Sequence, residues 1–449
     1  MSRWRSAIAY GLLALLASCE AGGGNARETP LPLKVSPSGR YLVDRYDNPF
    51  LLKGDAPQAL MVNASLSEAE FVLANRASHG FNVVWIMLLC NEYCQGRADA
   101  STLDGLVPFI SAGDLSSPNE AYFDHCDQVI RSAASHDLTV ILDPIETGGF
   151  LEMMRANGVD KCREYGRYLG NRYKDFDNII WMSGSDFQTW QDPTDDSVVK
   201  AVALGIKDTA PRHIHTLQLD SPLSSSIDDP NWWDLVTLNA AYTRYPIYAE
   251  VLKDYNRTPI VPVFIIEASY EFEHETDLER LRRQEYWTYL AGGCGHVYGN
   301  GITWPMKAGW QDNLNTDGVI QFGYCARLFQ SRPWYTLVPD QSHTLVTVGY
   351  GTYSSGGTLF YSISENDYAT AASTPDGKLA LVYIPTARTI TVDLTKLSGS
   401  VTARWFDPTA GTYQAIAGSP FPNTGFHAFS TPGTHSDGAS DWVLVLETQ

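Results

Sequence analysis

The sequence predicts an α/β chain, a (β/α)8 barrel followed by an all-β sandwich, on three observations. Short apolar runs alternate with helical patterns from Phe50 to about Arg332. Such alternation builds a parallel sheet, and eight strand candidates in roughly 280 residues suit a closed barrel. After Pro333 the helical period disappears, and β-branched and aromatic runs follow one another between turn residues. The rival, an open doubly wound sheet, usually carries a glycine-rich turn after its first strand. Here that strand ends in Gly54-Asp55-Ala56-Pro57.

The elements follow in order. Phe50 to Gly54 is the first strand, ending at Asp55. Ser67 to Ser78 is helical, with Glu68 and Glu70 in its first turn. Phe81 to Leu89 is a near-continuous apolar run, as strands buried on both faces show. Tyr122 to His136 is helical, Leu138 to Ile145 a strand, Lys161 to Lys174 helical, and Asn178 to Met182 a strand. Ser197 to Thr209 (helix), Ile214 to Leu219 (strand) and Leu235 to Leu238 (strand) come next. Tyr248 to Tyr255 is helical and Ile260 to Ile266 a strand; Leu278 to Leu290 (helix), Gly295 to Gly299 (strand) and Val319 to Gln330 (helix) complete the barrel. Beyond it, Thr344 to Val348, Thr358 to Ile363, Leu379 to Ile384, Thr389 to Leu394, Thr402 to Phe406 and Trp442 to Leu446 are the sandwich strands.

The 449 residues are 44% hydrophobic, enough for a large core, which excludes wholesale disorder. The formal charge of −19 opposes phosphate backbones, so no nucleic-acid partner is expected. At the N-terminus Arg3 and Arg5 precede an apolar run, Ala7 to Leu16, too short to span a bilayer. It ends in Leu16-Ala17-Ser18-Cys19, which resembles the lipobox of bacterial lipoproteins. That resemblance implies a lipid anchor on Cys19 and an exported lipoprotein of the outer membrane or cell surface. The expected divisions are a signal segment over 1–18, a flexible tether over 19–32, the barrel over 33–338 and the sandwich over 339–449. Six cysteines remain (Cys90, Cys94, Cys126, Cys162, Cys294 and Cys325); an even number permits disulfides, with Cys90 and Cys94 the nearest local pair.

In such a barrel the active site sits at the C-terminal ends of the strands. Strand ends here carry Asp55, Asp143 with Glu146, Asp186, Gln218 with Asp220, Asn239, Glu267, and Tyr298 with Asn300 and Trp304. Acidic groups converging on one rim suit glycoside hydrolysis. One carboxylic acid protonates the leaving oxygen while a carboxylate attacks the anomeric carbon or activates water. Asp186 and Glu267 form the best pair, because each ends a strongly apolar strand, where desolvation raises a carboxyl pKa. They lie 81 residues apart, on strands four and seven, facing each other across the mouth. The competing reading is that one or both cap helices or pair with arginines.

These stretches resemble the apiosidase-like glycoside hydrolases, a (β/α)8 family with a C-terminal collagen-binding-like β domain. The matches are Asn178 to Asp186 (NIIWMSGSD), Glu267 with Tyr270-Glu271, Arg282 to Trp287 (RRQEYW), Gly292 to Gly299 (GGCGHVYG) and Arg332 to Asp340 (RPWYTLVPD). Ala380 to Pro385, Arg404 to Pro408 and Asp441 to Leu446 match the β domain. The resemblance implies a retaining mechanism, with Asp186 as acid/base and Glu267 as nucleophile, and carboxyl groups about 5–5.5 Å apart. The chain departs from the family at the rim. Gly54-Asp-Ala-Pro-Gln58 replaces Gly-Asp-Thr-Ala-Trp, Gln218-Leu-Asp220 replaces a His-Pro ending, Asn239-Ala-Ala241 replaces Gln-Ser-Gly, and Ser185 stands where glycine precedes the Asp. Fold and mechanism therefore carry over better than the substrate.

Asp55, Gln58, Trp85, Glu146, Gln218, Asn239, Tyr270, Tyr298 and Trp304 are the candidate sugar-binding residues, aromatic faces for ring packing and polar groups for hydroxyls. His213-x-His215 has metal-like spacing but no acidic partner nearby, so no metal and no cofactor are expected. The expected activity is retaining hydrolysis of a plant or microbial polysaccharide or oligosaccharide, with a pentofuranose as one possible sugar. The alternatives are a non-catalytic surface glycan-binding protein and a collagen adhesin.

Overall fold

Eight parallel strands in chain order line the first unit: β1 (Leu52–Asp55), β2 (Val83–Met87), β3 (Thr139–Asp143), β4 (Ile179–Phe187), β5 (Ile214–Leu219), β6 (Asn239–Thr243), β7 (Val263–Glu267) and β8 (Gly295–Tyr298). The computed structural model describes residues 29–355 and 362–448. The expected signal segment, Cys19, most of the tether and most of the Thr358–Ile363 run lie outside them. The hydrogen-bonded order is β5-β4-β3-β2-β1-β8-β7-β6, with a ninth, short strand (Leu223–Ser225) antiparallel on the free edge of β6, so the sheet wraps almost completely around. The five residues of β2 are all buried, as are those of β3 and β7, which explains their unbroken apolar sequences.

The seam between β5 and β6 is closed by a side chain. Ser226 Oγ donates to the Leu217 carbonyl at 2.6 Å and accepts from the Ala240 amide at 2.8 Å. A hydroxyl both donates and accepts, so one serine satisfies both strand edges. Lower down, the Thr237 and Leu238 amides donate to the His215 carbonyl. The expected strand over Leu235–Leu238 is thus displaced to Asn239–Thr243: the apolar run is only the approach, and the ladder with β7 begins at the Asn239–Val263 pairing.

Helices α1 (Leu66–Ser78), α2 (Glu120–Ser135), α3 (Thr147–Tyr173), α4 (Pro193–Thr209), α5 (Ile247–Tyr255), α6 (Leu278–Leu290) and α7 (Asp317–Gln330) surround the sheet. Helix α3 starts well before the expected Lys161. Gly148 and Gly149 obscure its first turn in the sequence, and its axis breaks at Gly158, where φ is 71°. Between β5 and β6 the described chain forms two 3-10 turns, Ser226–Asp228 and Pro230–Trp232. A small antiparallel sheet (Lys34–Val35, Leu42–Val43, Pro49–Phe50) precedes β1 in the chain. His213 and His215 are buried, held neutral by desolvation, and Trp181 Nε1 donates to His213 Nδ1. No His, Cys, Asp or Glu cluster fit for a metal occurs among the described residues. The six described cysteines are buried free thiols; Cys90, in place of a bond to Cys94, donates its thiol to the Cys94 carbonyl.

The second unit is built from two antiparallel sheets. One has six strands in the order Val338–Pro339, Thr370–Ser373, Leu379–Ile384, Trp442–Thr448, Val401–Asp407 and Thr412–Ala415; the other holds Val346–Val348, Thr389–Asp393 and Phe426–Ser430. Val382, Ile390, Val392, Leu444 and Leu446 fill the space between them.

Helix α6 joins the two units. Arg282 forms a two-pronged pair with Asp441, Nε to Oδ2 at 2.9 Å and Nη2 to Oδ1 at 2.8 Å, and Tyr383 donates to the same carboxylate at 3.0 Å. Both charged side chains are about 1% exposed or less. Tyr286 stacks on Tyr383 with ring centres 4.8 Å apart. A buried ion pair is strongly destabilising when one partner is removed, because the other charge is left unpaired. Asp441→Ala is expected to lower the unfolding free energy by about 3–5 kcal/mol, measured by urea denaturation; a loss under about 1 kcal/mol would show the pair to be dispensable.

Candidate active site

Strand β4 departs from regular pairing where it reaches the rim. Ser183 pairs with Leu217 and Phe187 with Leu219, so four residues of advance on β4 oppose two on β5. The excess is absorbed by Gly184, Ser185 and Asp186, with φ of 94°, 61° and 50°. A Cβ on Gly184 would lie 2.3 Å from the Gln218 carbonyl oxygen, so only glycine fits there. Bulges of this kind re-aim a side chain, and left-handed residues other than glycine cost about 1–3 kcal/mol each. Here the bulge turns Asp186 into the barrel mouth. Strand β7 also shifts register at its end: Ala241 pairs with Ile265 and Tyr242 with Glu267, so Ile266 is the extra residue just before Glu267, which lines the same cavity.

That cavity measures about 260 Å³, and its walls include Asp186, Glu267, Gln58, Trp85, Tyr270 and Trp304. The sequence singled out all six. Tyr93, Arg244 and Glu273 also line it, and strand-end reasoning does not reach them. Tyr93 lies on a 3-10 turn (Glu92–Cys94), and its ring sits where a Cβ on Gly148 would be, which fixes it against the start of α3. Its hydroxyl donates to Asp186 Oδ2 at 2.7 Å. Glycines at 148 and 149 were the available signal, since such pairs admit a close neighbour.

Glu267 is surrounded by donors. Gln218 Nε2 donates to Oε2 at 2.9 Å and Arg244 Nη2 to Oε1 at 3.3 Å. Arg244 also donates to the Tyr242 hydroxyl at 2.8 Å. Desolvation pushes the Glu267 carboxyl up to about 8, assisted by the charge of Asp186 and opposed by Arg244, Tyr242 and Gln218. Desolvation also raises Asp186, against the Tyr93 hydrogen bond and the Arg244 charge. With both carboxyls raised by burial, and Asp186 raising Glu267 further, the pair holds one proton between its members near neutrality. Glu267 has the donors that stabilise an anion, whereas Asp186 Oδ1 has no partner among the described residues. The better arrangement is an ionised Glu267 and a protonated Asp186.

Four candidate sugar-binding residues stand elsewhere, each held by the protein's own polar groups. Asp55 is fully buried opposite Arg76, Oδ2 to Nη1 at 3.5 Å. Glu146 caps α3, accepting the Gly149 amide at 2.7 Å, and burial pushes its carboxyl up to about 8. Asn239 donates to Asp254 at 2.8 Å and accepts from the Ile227 amide at 3.2 Å. Tyr298 donates its hydroxyl to Glu271. None of the four lines the cavity. Gln218 stands behind Glu267 and orients it.

A (β/α)8 barrel with a desolvated acid pair at its C-terminal mouth and an appended β domain defines a class, the barrel glycoside hydrolases. The comparisons give the family: residues 36–336 match the model "Apiosidase-like, catalytic domain", and the chain belongs to that family. Residues 358–447 match the model "Putative collagen-binding domain of a collagenase". A solved structure named "Glycoside hydrolase" is 26% identical, covers 94% of this chain and 99% of its own, and superposes with a TM-score of 0.79. A glycoside hydrolase family 5 structure from Bacteroides vulgatus ATCC 8482 is 24% identical, over 94% of this chain and 95% of its own, with a TM-score of 0.78, and shows the shared two-unit fold. No curated protein matches the chain.

The raised carboxyl of Glu267 has a stability consequence. Burial pushes it from the ordinary 4.5 up to about 8, and the proton this implies is shared with Asp186, so the folded pair holds one proton more than the unfolded chain between those limits. That stabilisation is full below pH 4.5 and is lost as pH rises through 8. Glu267→Gln is therefore expected to melt above the wild type at pH 8 and together with it below pH 4.5, by calorimetry at both pH values. A variant melting below the wild type at pH 8 would contradict the assignment of a buried, costly charge.

Proposed function

We propose that this chain is a retaining glycoside hydrolase acting on a neutral glycan, with Glu267 as nucleophile and Asp186 as acid/base. The observation that carries the reading is the asymmetry of the pair: an arginine and a glutamine hold Glu267 as an anion, and Asp186 keeps one oxygen unengaged. In the first step the Glu267 carboxylate attacks the anomeric carbon, the glycosidic C–O bond breaks, and Asp186 gives its proton to the departing oxygen. In the second step Asp186 takes a proton from water, whose oxygen displaces Glu267. Retention requires the two carboxyls about 5–5.5 Å apart. The cavity, at about 260 Å³, lies below the range of roughly 300–1,000 Å³ that drug-sized ligands occupy; it suits a single sugar ring. The family name supports a branched pentofuranose such as apiose as the first sugar to try. Cys19 as a lipid anchor, and an outer-membrane or surface location, extend the same proposal; detergent-phase partitioning lost in Cys19→Ala tests it.

On a panel of pectic and arabinan-type glycans, Asp186→Asn is expected to lower kcat by about 10²–10⁴-fold. Glu267→Ala should lose turnover and regain it with azide, yielding a glycosyl azide of inverted configuration. An azide product of retained configuration, or full activity in either variant, would exclude these roles. Tyr93→Phe removes a donor that stabilises ionised Asp186. The alkaline limb of kcat/KM is expected to move to higher pH, and a downward move would contradict the hydrogen bond's role.

A further inference from the structure

The segment after β7 is a partition between two cavities. Tyr270 and Glu273 face the catalytic cavity, while Glu271 and Phe272 face a larger groove of about 510 Å³. The alternation comes from the backbone. Phe272, His274 and Glu275 have φ of 64°, 48° and 56°, three left-handed residues in four positions. Such strain persists only where the surroundings hold it, and it collects at ligand sites. Its product here is a phenyl ring left 55% exposed beside the rim. Glu273 is held on the catalytic side, accepting from Trp304 Nε1 at 2.7 Å.

The far wall of the groove belongs to the β unit. Asp437, Gly438 and Ala439 line it opposite Thr276, Asp277 and Glu279. Arg282 fixes that wall, reaching Asp437 at 3.3 Å as well as Asp441. The groove thus offers one aromatic face and several oxygen acceptors, one residue away from the catalytic wall. Aromatic faces and carboxylates are what sugar rings and hydroxyls require, and the acidic lining disfavours an anionic chain.

We propose that this groove binds further units of the glycan whose reacting sugar occupies the catalytic cavity, and that the β unit serves there as a wall of the substrate site. The inference rests on the glycosidase reading for the identity of the ligand, and continuity across the 270–273 partition is what commits it to carbohydrate. Phe272 supplies the stacking platform, and the occupant is a neutral oligosaccharide longer than the catalytic cavity can hold.

The test compares wild type, Phe272→Ala and Ala439→Trp, the last filling the groove from the β unit. Two readouts are taken: kcat/KM on 4-nitrophenyl monoglycosides and on neutral arabinan and pectic side-chain oligosaccharides of two to six units, and binding of the same oligosaccharides by saturation-transfer NMR. Both variants are expected to match wild type on monoglycosides. On oligosaccharides of four or more units they should lose about tenfold in kcat/KM, chiefly through KM, and show weakened NMR contacts. Equal behaviour of all three proteins on long oligosaccharides would overturn the groove while leaving the glycosidase reading intact. Absence of hydrolysis by the wild type would defeat the glycosidase reading instead. The NMR arm still decides the groove in that case: weaker binding by both variants supports it, and binding equal to wild type, or absent from wild type, rejects it.

Discussion

Charge buried at the C-terminal end of the barrel must find a partner or give up its charge, and the upper half of the molecule is arranged around that constraint. Asp55 faces Arg76, Glu271 takes hydroxyls from Tyr298 and Thr316, and Asp441 is clasped by Arg282. Asp143 and Glu146 have no ion-pair partner among the described residues, and burial raises both toward the neutral acid. Two buried groups remain that open onto the cavity: Glu267, whose partners stabilise its anion, and Asp186, with one oxygen unengaged. The difference between these two environments is the basis of the proposed chemistry, since paired carboxyls are assigned acid and base by what surrounds them.

Positioning that pair requires strain. Asp186 reaches the mouth through three consecutive left-handed residues, one of them glycine by necessity. Ser185 occupies a conformation in which glycine is cheaper, which gives a physical reason for the glycine of the family pattern at that place. Its carbonyl accepts the Thr147 hydroxyl at 2.9 Å, tying the bulge to the start of α3. The same helix start supports Tyr93. One local arrangement therefore sets the direction of the acid and supplies its hydrogen-bond donor.

The barrel was legible because buried strands and amphipathic helices leave different periods in the sequence, and eight repeats leave few alternatives. The acid pair was legible because each carboxyl ends an apolar run. What strand ends do not reveal is which way they face. Asp55 and Tyr298 end strands and Glu146 follows one closely, yet they bond to the protein's own groups, since alternate residues of a strand point to opposite sides, and Asn239 proves to open β6 instead of ending it. Tyr93, Arg244 and Glu273 escaped notice for the complementary reason. They lie on loops, whose paths are set by contacts distant in sequence, such as Tyr93 on Gly148 and Glu273 on Gly301. Two stretches that carried the family resemblance, Arg282 to Trp287 and Asp441 to Leu446, prove to be two sides of one buried junction. Their chemistry is the attachment of the β unit to the rim.

The central claim is that Asp186 and Glu267 operate as a double-displacement pair. The most direct measurement is the configuration of the first-formed product, followed by proton NMR on the first neutral glycan of a pectic and arabinan panel that the wild type cleaves. The account predicts that the released sugar first appears with the anomeric configuration it had in the substrate, before mutarotation mixes the two forms. A product that first appears inverted would contradict it, and would reassign Glu267 from nucleophile to a base acting on water.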